Sequence, residues 1–382
     1  MIKNLYCSKC GKIYPVSEVQ TFAMCCNKPL LASYDLSVPI SKNDIDSEEN
    51  SMWRYFKFLP LISRENIISL NEGMTPIVPL ERLASQLKMS SLLLKDESYN
   101  PTGSFKARGI SMAVSKAKEL GIDSFIIPTA GNAGGALAAY CAKANMKCII
   151  VMPEHTPSIF KKECKTYGAE VILVNGLIND CAKKVVEIKK DVEYFNISTL
   201  KEPYRLEGKK TMGFEIAEQL QWKLPGVIIY PAGGGTGLIG IWKAFNEMIT
   251  LGWIKKPLPK MIAVQASNCA PLAAAYHSAE WKKNFKPKAT LANGLAVPDP
   301  FGMDLMLDVI HQSNGTVVTV SEEEIISGIK EVATTEGILL SPEGSATWMA
   351  LTSLLMKNVI QPNQSVLLLN TGSGYKYLES VF

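Results

Sequence analysis

Three observations predict an α/β protein with two domains, each built on a parallel sheet. The chain has 382 residues, enough for two domains and a substantial core. From Gly121 onward, short apolar runs alternate with helical patterns at loop lengths that fit βαβ units. A second alternation of the same kind follows from Gly226.

The elements follow in chain order. Cys7-Ser-Lys-Cys10-Gly11 is one half of a zinc knuckle, in which the glycine lets two thiolates converge on one ion. A second half belongs about fifteen residues on, and the chain offers the adjacent pair Cys25-Cys26 there. Adjacent cysteines rarely both reach one tetrahedral ion, so a metal-bound ribbon and a metal-free remnant both stay open. Residues 41–51 are polar and acidic and read as a linker. Ser91 to Glu97 is a short apolar run leading into the next turn, expected to be a buried strand.

Asn100-Pro-Thr-Gly103 is turn chemistry, and Ser104-Phe105-Lys106 follows it directly. Ile110, Ala113, Val114, Ala117 and Leu120 then recur at helical spacing, stopped by Gly121. Lys106 is thus expected in the first turn of a helix, the end that disfavours a cation. That setting, with partial burial, lowers a lysine's pKa and leaves an amine able to form a Schiff base. A solvated lysine near a helix start is the plainer alternative.

Strands are then expected at 124–128, 147–153, 170–174 and 193–196, with helices at 132–144, 158–167 and 180–190 between them. The second alternation predicts strands at 226–230, 261–264 and 365–369, with helices at 238–250, 322–336 and 345–357. Two strand-to-helix junctions are glycine-rich. Thr129-Ala-Gly131-Asn132-Ala133-Gly134-Gly135 is one; Gly233-Gly234-Gly235-Thr236-Gly237 is the other. Both let backbone approach a ligand ahead of an anion-favouring helix N-terminus. The second lacks the Gly-Lys-Ser/Thr ending of a nucleotide P-loop, and it lacks the dinucleotide spacing.

Composition excludes several classes. Charged residues make up 20% of the chain, and the net charge of +4 is scattered, which argues against nucleic acid. No apolar run reaches the roughly 18 residues of a membrane span, and the start lacks a signal-peptide core, so a cytoplasmic protein is expected. The three histidines show no metal-ligand spacing, and the nine cysteines read as reduced thiols, five of them in or beside apolar segments. The chemistry must come from lysine and a cofactor.

The stretch Asn100 to Gly109 resembles the lysine loop of the fold-type-II pyridoxal-phosphate (PLP) enzymes, the tryptophan synthase β group. The resemblance implies that Lys106 carries PLP covalently, with Phe105 beside it. Glu72-Gly-Met-Thr-Pro76 is similar to a motif ahead of that family's first main strand. By the same resemblance Asn132 contacts the cofactor's 3′-oxygen, and Thr129, Gly131 and Ala133 bind the substrate carboxylate. Gly233, Gly234, Gly235, Thr236 and Gly237 hold the cofactor phosphate, and Thr371 reaches the ring nitrogen. A neutral hydroxyl there favours elimination and replacement over transamination. The implied architecture has a ribbon-like segment at 1–37, a large PLP-binding domain at 38–110 and 198–382, and a small mobile domain at 111–197, with PLP in the cleft.

Ser198 to Thr211 looks like the threonine synthase segment Asn-Pro-x-Arg-Leu-Glu-Gly-Gln-Lys-Thr, which grips the phosphate of O-phosphohomoserine. Arg205 and Lys210 match it; a solvated cationic loop is the alternative. Glu202 stands at the usual asparagine, Ala107 at an aspartate, and Ala133-Gly134 at Thr-Ser. Thr290 to Val297 resembles a dehydratase segment instead. The chain therefore reads as a threonine synthase-like enzyme, with a homodimer as the expected assembly. A threonine or serine ammonia-lyase and a β-replacement enzyme such as cysteate synthase are alternatives, and a non-enzymatic PLP-fold binding module a distant one. Zinc at Cys7, Cys10, Cys25 and Cys26 is the second implied cofactor.

Overall fold

The computed structural model describes residues 2–38, 40–190, 193–283 and 285–381. The chain divides into two compact units, Met1–Met74 with Asn100–Met212 and Asn246–Trp253, and Thr75–Tyr99 with Gly213–Phe245 and Ile254–Phe382. Both contain a largely parallel sheet, as the two alternations predict.

In the first unit four parallel strands run in the order Glu170–Val174, Lys147–Pro153, Ser124–Pro128, Phe195–Asn196. Ile126, Ile149 and Val151 on one sheet face bury against Cys181 and Val185 of the helix Ile178–Ile188. Helices Lys106–Glu119 and Asn132–Ala144 pack on each other. The N-terminal residues add a three-stranded antiparallel sheet, Ile13–Tyr14, Ile2–Cys7 and Leu30–Tyr34. Tyr34 anchors this ribbon by donating its hydroxyl to Glu207 at 2.7 Å.

The second unit holds six strands in the order Thr316–Val320, Lys260–Ala266, Val227–Pro231, Ser365–Asn370, Ser91–Asp96, Ile77–Pro79. Only the last pairs antiparallel. The inner strands are continuous apolar runs, as a sheet covered on both faces requires. Leu94, Ile229, Val264 and Leu368 meet Trp348 and Leu351 of the helix Pro342–Met356 in the core.

Several expected helix starts are late by up to one turn. Pro342–Met356 begins on Pro at its first position, behind the cap Ser341, whose hydroxyl accepts from Gly344 N at 3.1 Å. Apolar periodicity starts at Ser345 and misses the Ser341 cap and the Pro-Glu-Gly turn after it, although these residues are buried too. A larger difference is the helix Tyr204–Gln219, which spans the segment left open as a cationic loop. Residues 204–217 are all buried, so the segment has no polar face to mark a period. Among the described residues no helix is long and apolar enough to cross a membrane.

Candidate active site

Lys106 is the first residue of its helix, behind a turn at Pro101–Gly103. The turn takes left-handed backbone at Thr102 (φ 59°) and Gly103 (φ 58°), and Gly103 N donates to Asn100 O at 2.9 Å. Asn100 Oδ1 in turn accepts from Gly73 N at 3.0 Å, which ties the lysine loop to the Glu72-Gly73 motif. Lys106 is half-buried, and its amine lies 4.2 Å from the Phe105 ring centre. Ser104 Oγ, just ahead of it, is buried with no hydrogen-bond partner among the described residues. Glu72 is fully buried; it accepts from Trp53 Nε1 at 2.7 Å and from Ser111 Oγ and Tyr140 Oη at 2.5 Å. Burial first, and that carboxylate second, push the Tyr140 phenol well up. The carboxylate thus braces the Lys106 helix, a role that a short motif in a loop does not announce.

Thr129 and Gly131 join the strand Ser124–Pro128 to the helix Asn132–Ala144, which begins with Asn132 and Ala133 and packs on the Lys106 helix and on the Pro101–Gly103 turn. Gly131 caps the helix, and its N–H donates to Thr129 Oγ1 at 3.3 Å. These four residues and the lysine loop are therefore gathered within the first unit.

In the second unit Gly233–Gly237 joins the strand Val227–Pro231 to the helix Thr236–Thr250. Gly235 has φ +83°, and a Cβ there would strike Met306. Gly233 presses on the Gly294 carbonyl, so the Thr290–Val297 segment backs the loop. Ile239 N bonds Gly235 O at 3.0 Å. The N–H groups of Thr236, Gly237 and Leu238 precede any possible i−4 partner in the helix. They form a cradle for an anion, with the helix dipole behind it. Thr371, buried, follows the strand Ser365–Asn370. Asn370 before it is fixed on both sides, donating to Asp96 Oδ1 at 2.8 Å and accepting from Ser341 Oγ at 3.0 Å. In the first unit a half-buried amine at a helix start fits the aldehyde of PLP, and in the second a helix N-terminus fits a phosphate such as the one PLP carries.

Arg205 and Lys210 share a helix but face different surroundings. Lys210 is fully buried, paired with Glu207 and Glu247 at 2.9 Å each, its amine 3.7 Å from the Tyr34 ring centre. It sits under the ribbon. Arg205 is buried at the other side of the first turn, donating Nη1 to Ile197 O at 2.7 Å, while its Nε has no partner among the described residues. Glu202 accepts from Tyr204 N at 2.7 Å and Arg205 N at 3.1 Å. It occupies the helix N-terminus itself. Burial raises its carboxyl to about 7 against the opposing pull of Arg205, the two N–H donors and Lys209. Lys209, which sequence reasoning passed over, places its amine 3.3 Å from the Phe105 ring centre.

The sulfur atoms of Cys7, Cys10, Cys25 and Cys26 all lie within 4.8 Å of one another. The adjacent pair does reach one point, against the expectation drawn from sequence. A turn with Gly11 at φ +74° folds the first knuckle, and Tyr14 Oη accepts from Cys25 N at 3.3 Å to place the second. All nine cysteines are free thiols, and the five assigned to apolar segments are buried.

The family model for the pyridoxal-phosphate dependent enzymes matches residues 68–372. The chain belongs to that family. It is a PLP-dependent lyase with the fold-type-II architecture, and PLP is its cofactor. Its sequence is 34% identical to a threonine synthase of Methanocaldococcus jannaschii, over 97% of this chain and 92% of that one. A threonine synthase of Methanosarcina acetivorans is also 34% identical, over 97% and 91%. Among solved structures, a T.th. threonine deaminase superposes with a TM-score of 0.66 at 23% identity, over 79% of this chain and 92% of that one. O-ureido-L-serine synthase gives 0.68 at 24%, over 81% and 92%. These two share the fold.

Proposed function

We propose that the protein is a threonine synthase acting on O-phosphohomoserine and water to give threonine and phosphate. The observation that carries this reading is the match, over nearly the whole chain, to threonine synthases at 34% identity. Bound PLP supplies an electron sink for charge that develops at the substrate Cα. Lys106 is assigned as the residue that carries it and as the base that takes the Cα proton and returns it. The Gly233–Gly237 cradle is assigned to the cofactor phosphate, Asn132 and Phe105 to its ring, and Thr371 to the ring nitrogen. Thr129, Gly131 and Ala133 are assigned to the substrate carboxylate and Arg205 to the distal phosphate. Lys210, held by two carboxylates, acts on that site by fixing the helix.

A second reading, elimination of water from serine or threonine, is favoured by Glu202. Its carboxylate occupies the helix N-terminus beside Arg205, where a substrate phosphate would otherwise bind. Phosphate release from O-phosphohomoserine, assayed against keto-acid formation from serine and threonine, separates the two. Brisk deamination with no phosphate release overturns the first reading.

The four clustered cysteines are assigned to one structural zinc ion. Sulfur atoms that converge within 4.8 Å need little movement to reach the roughly 2.3 Å Zn–S bonds of a tetrahedral site. A homodimer in the cytoplasm completes the proposal, and sedimentation of the purified protein tests the assembly.

A further inference from the structure

The helix Tyr204–Gln219 brings a second amine to the ring beside Lys106. Its backbone packs directly on the Lys106 helix. A Cβ on Gly109 would lie 2.7 Å from Arg205 O and 3.0 Å from Lys209 Cε, and one on Gly208 would strike the Arg108 carbonyl. Glycine at both positions lets the first turns touch, which fixes Lys209 relative to Lys106. Lys209 Nζ is 3.3 Å and Lys106 Nζ 4.2 Å from the same Phe105 ring centre, so the two amines are at most about 7.5 Å apart. Lys209 is 1% exposed.

We propose that Lys209 is a positioning residue for Lys106: its buried ammonium shares the Phe105 ring, fixes that ring beside the Lys106 amine, and by like-charge repulsion favours that amine's neutral, nucleophilic form. Charged groups near this pair include Glu202 and Arg205 at the start of the same helix, Arg108, whose Nη1 donates to Thr211 Oγ1 at 3.2 Å, and the buried Glu72, bonded to Ser111 of the Lys106 helix. Glu202 feels both Arg205 and Lys209. A like charge at this distance moves the balance between a charged and a neutral amine by about 10- to 40-fold, at an effective dielectric constant of about 20 to 30. The proposal rests on the reading of Lys106 as the cofactor lysine, and it holds whichever amino acid is the substrate.

The test is competitive acetylation of the full chain freed of cofactor, with the Lys106 peptide quantified by mass spectrometry across pH. Lys209→Gln should label Lys106 about 10- to 40-fold more slowly near pH 8, and Lys209→Arg, which keeps the charge, within about 3-fold of wild type. A Lys209→Gln rate within about 3-fold of wild type overturns the proposal. Circular dichroism checks that the variants fold. Should Lys209→Gln not fold, Lys209→Met, which keeps the length without the charge, replaces it, and the wild-type Lys106 labelling midpoint must still fall at least about one pH unit below the ordinary lysine value of about 10.4. A midpoint at that value overturns the proposal. Borohydride trapping of PLP on a different lysine would instead overturn the reading of Lys106, so the two failures are distinguishable.

Discussion

Glu202→Gln should make the protein's stability less dependent on pH, in a direction fixed by the surroundings of the carboxyl. Glu202 is buried, and burial raises its carboxyl from 4.5 to about 7. The folded protein therefore binds this proton more tightly than the unfolded chain does. The resulting stabilisation is fully present below about pH 4.5 and is lost as pH rises through about 7. A shift of that size corresponds to about 3 kcal/mol. Glutamine keeps an oxygen to accept from Tyr204 N, and it has no proton to lose. Denaturant unfolding of wild type and variant at a series of pH values reads the difference directly. The variant's stability relative to wild type should rise by about 3 kcal/mol between about pH 4.5 and 8. A constant difference, or a variant that loses ground as pH rises, would refute the assignment of a buried carboxyl held partly protonated.

Other perturbations test the remaining parts of the site. Gly235→Val places a branched residue at φ +83° against Met306, and should weaken PLP binding by about 10-fold or more in equilibrium titration. Unchanged cofactor affinity would reassign the loop. Arg205→Ala should lower kcat/KM for O-phosphohomoserine by about 30- to 1,000-fold, with Arg205→Lys recovering part of it. If turnover on serine is the real activity, the same change should leave it nearly untouched. Elemental analysis should find about one zinc per chain, lost in Cys10→Ser together with stability. A metal-free wild type would show the cysteines to be a remnant.

The fold was legible where hydrophobic runs are long and bounded by glycine or proline. Ser124–Pro128, Asn132–Ala144, Lys147–Pro153, Glu170–Val174 and Glu322–Glu336 lie where the sequence predicts them. Element ends set by polar caps, such as Ser341, were less legible, because capping satisfies backbone groups outside the apolar period. Turn chemistry located the turns at the lysine loop and the two glycine junctions, and the family resemblance supplied their roles. What sequence hid is long-range pairing: Glu72 on Ser111 and Tyr140, Lys210 under Tyr34, and Lys209 on Phe105. Each depends on helix packing that no local spacing encodes. Lys209 and Lys210 are neighbours in sequence, yet the helical turn of about 100° per residue sends them to different partners.

The most direct measurement of the central claim is borohydride reduction of the purified protein followed by peptide mapping. The account predicts one pyridoxyl group per chain, on Lys106, with Lys106→Ala losing both the adduct and the visible absorbance of the bound cofactor. A reduced adduct on any other lysine, or one that persists in Lys106→Ala, would contradict it.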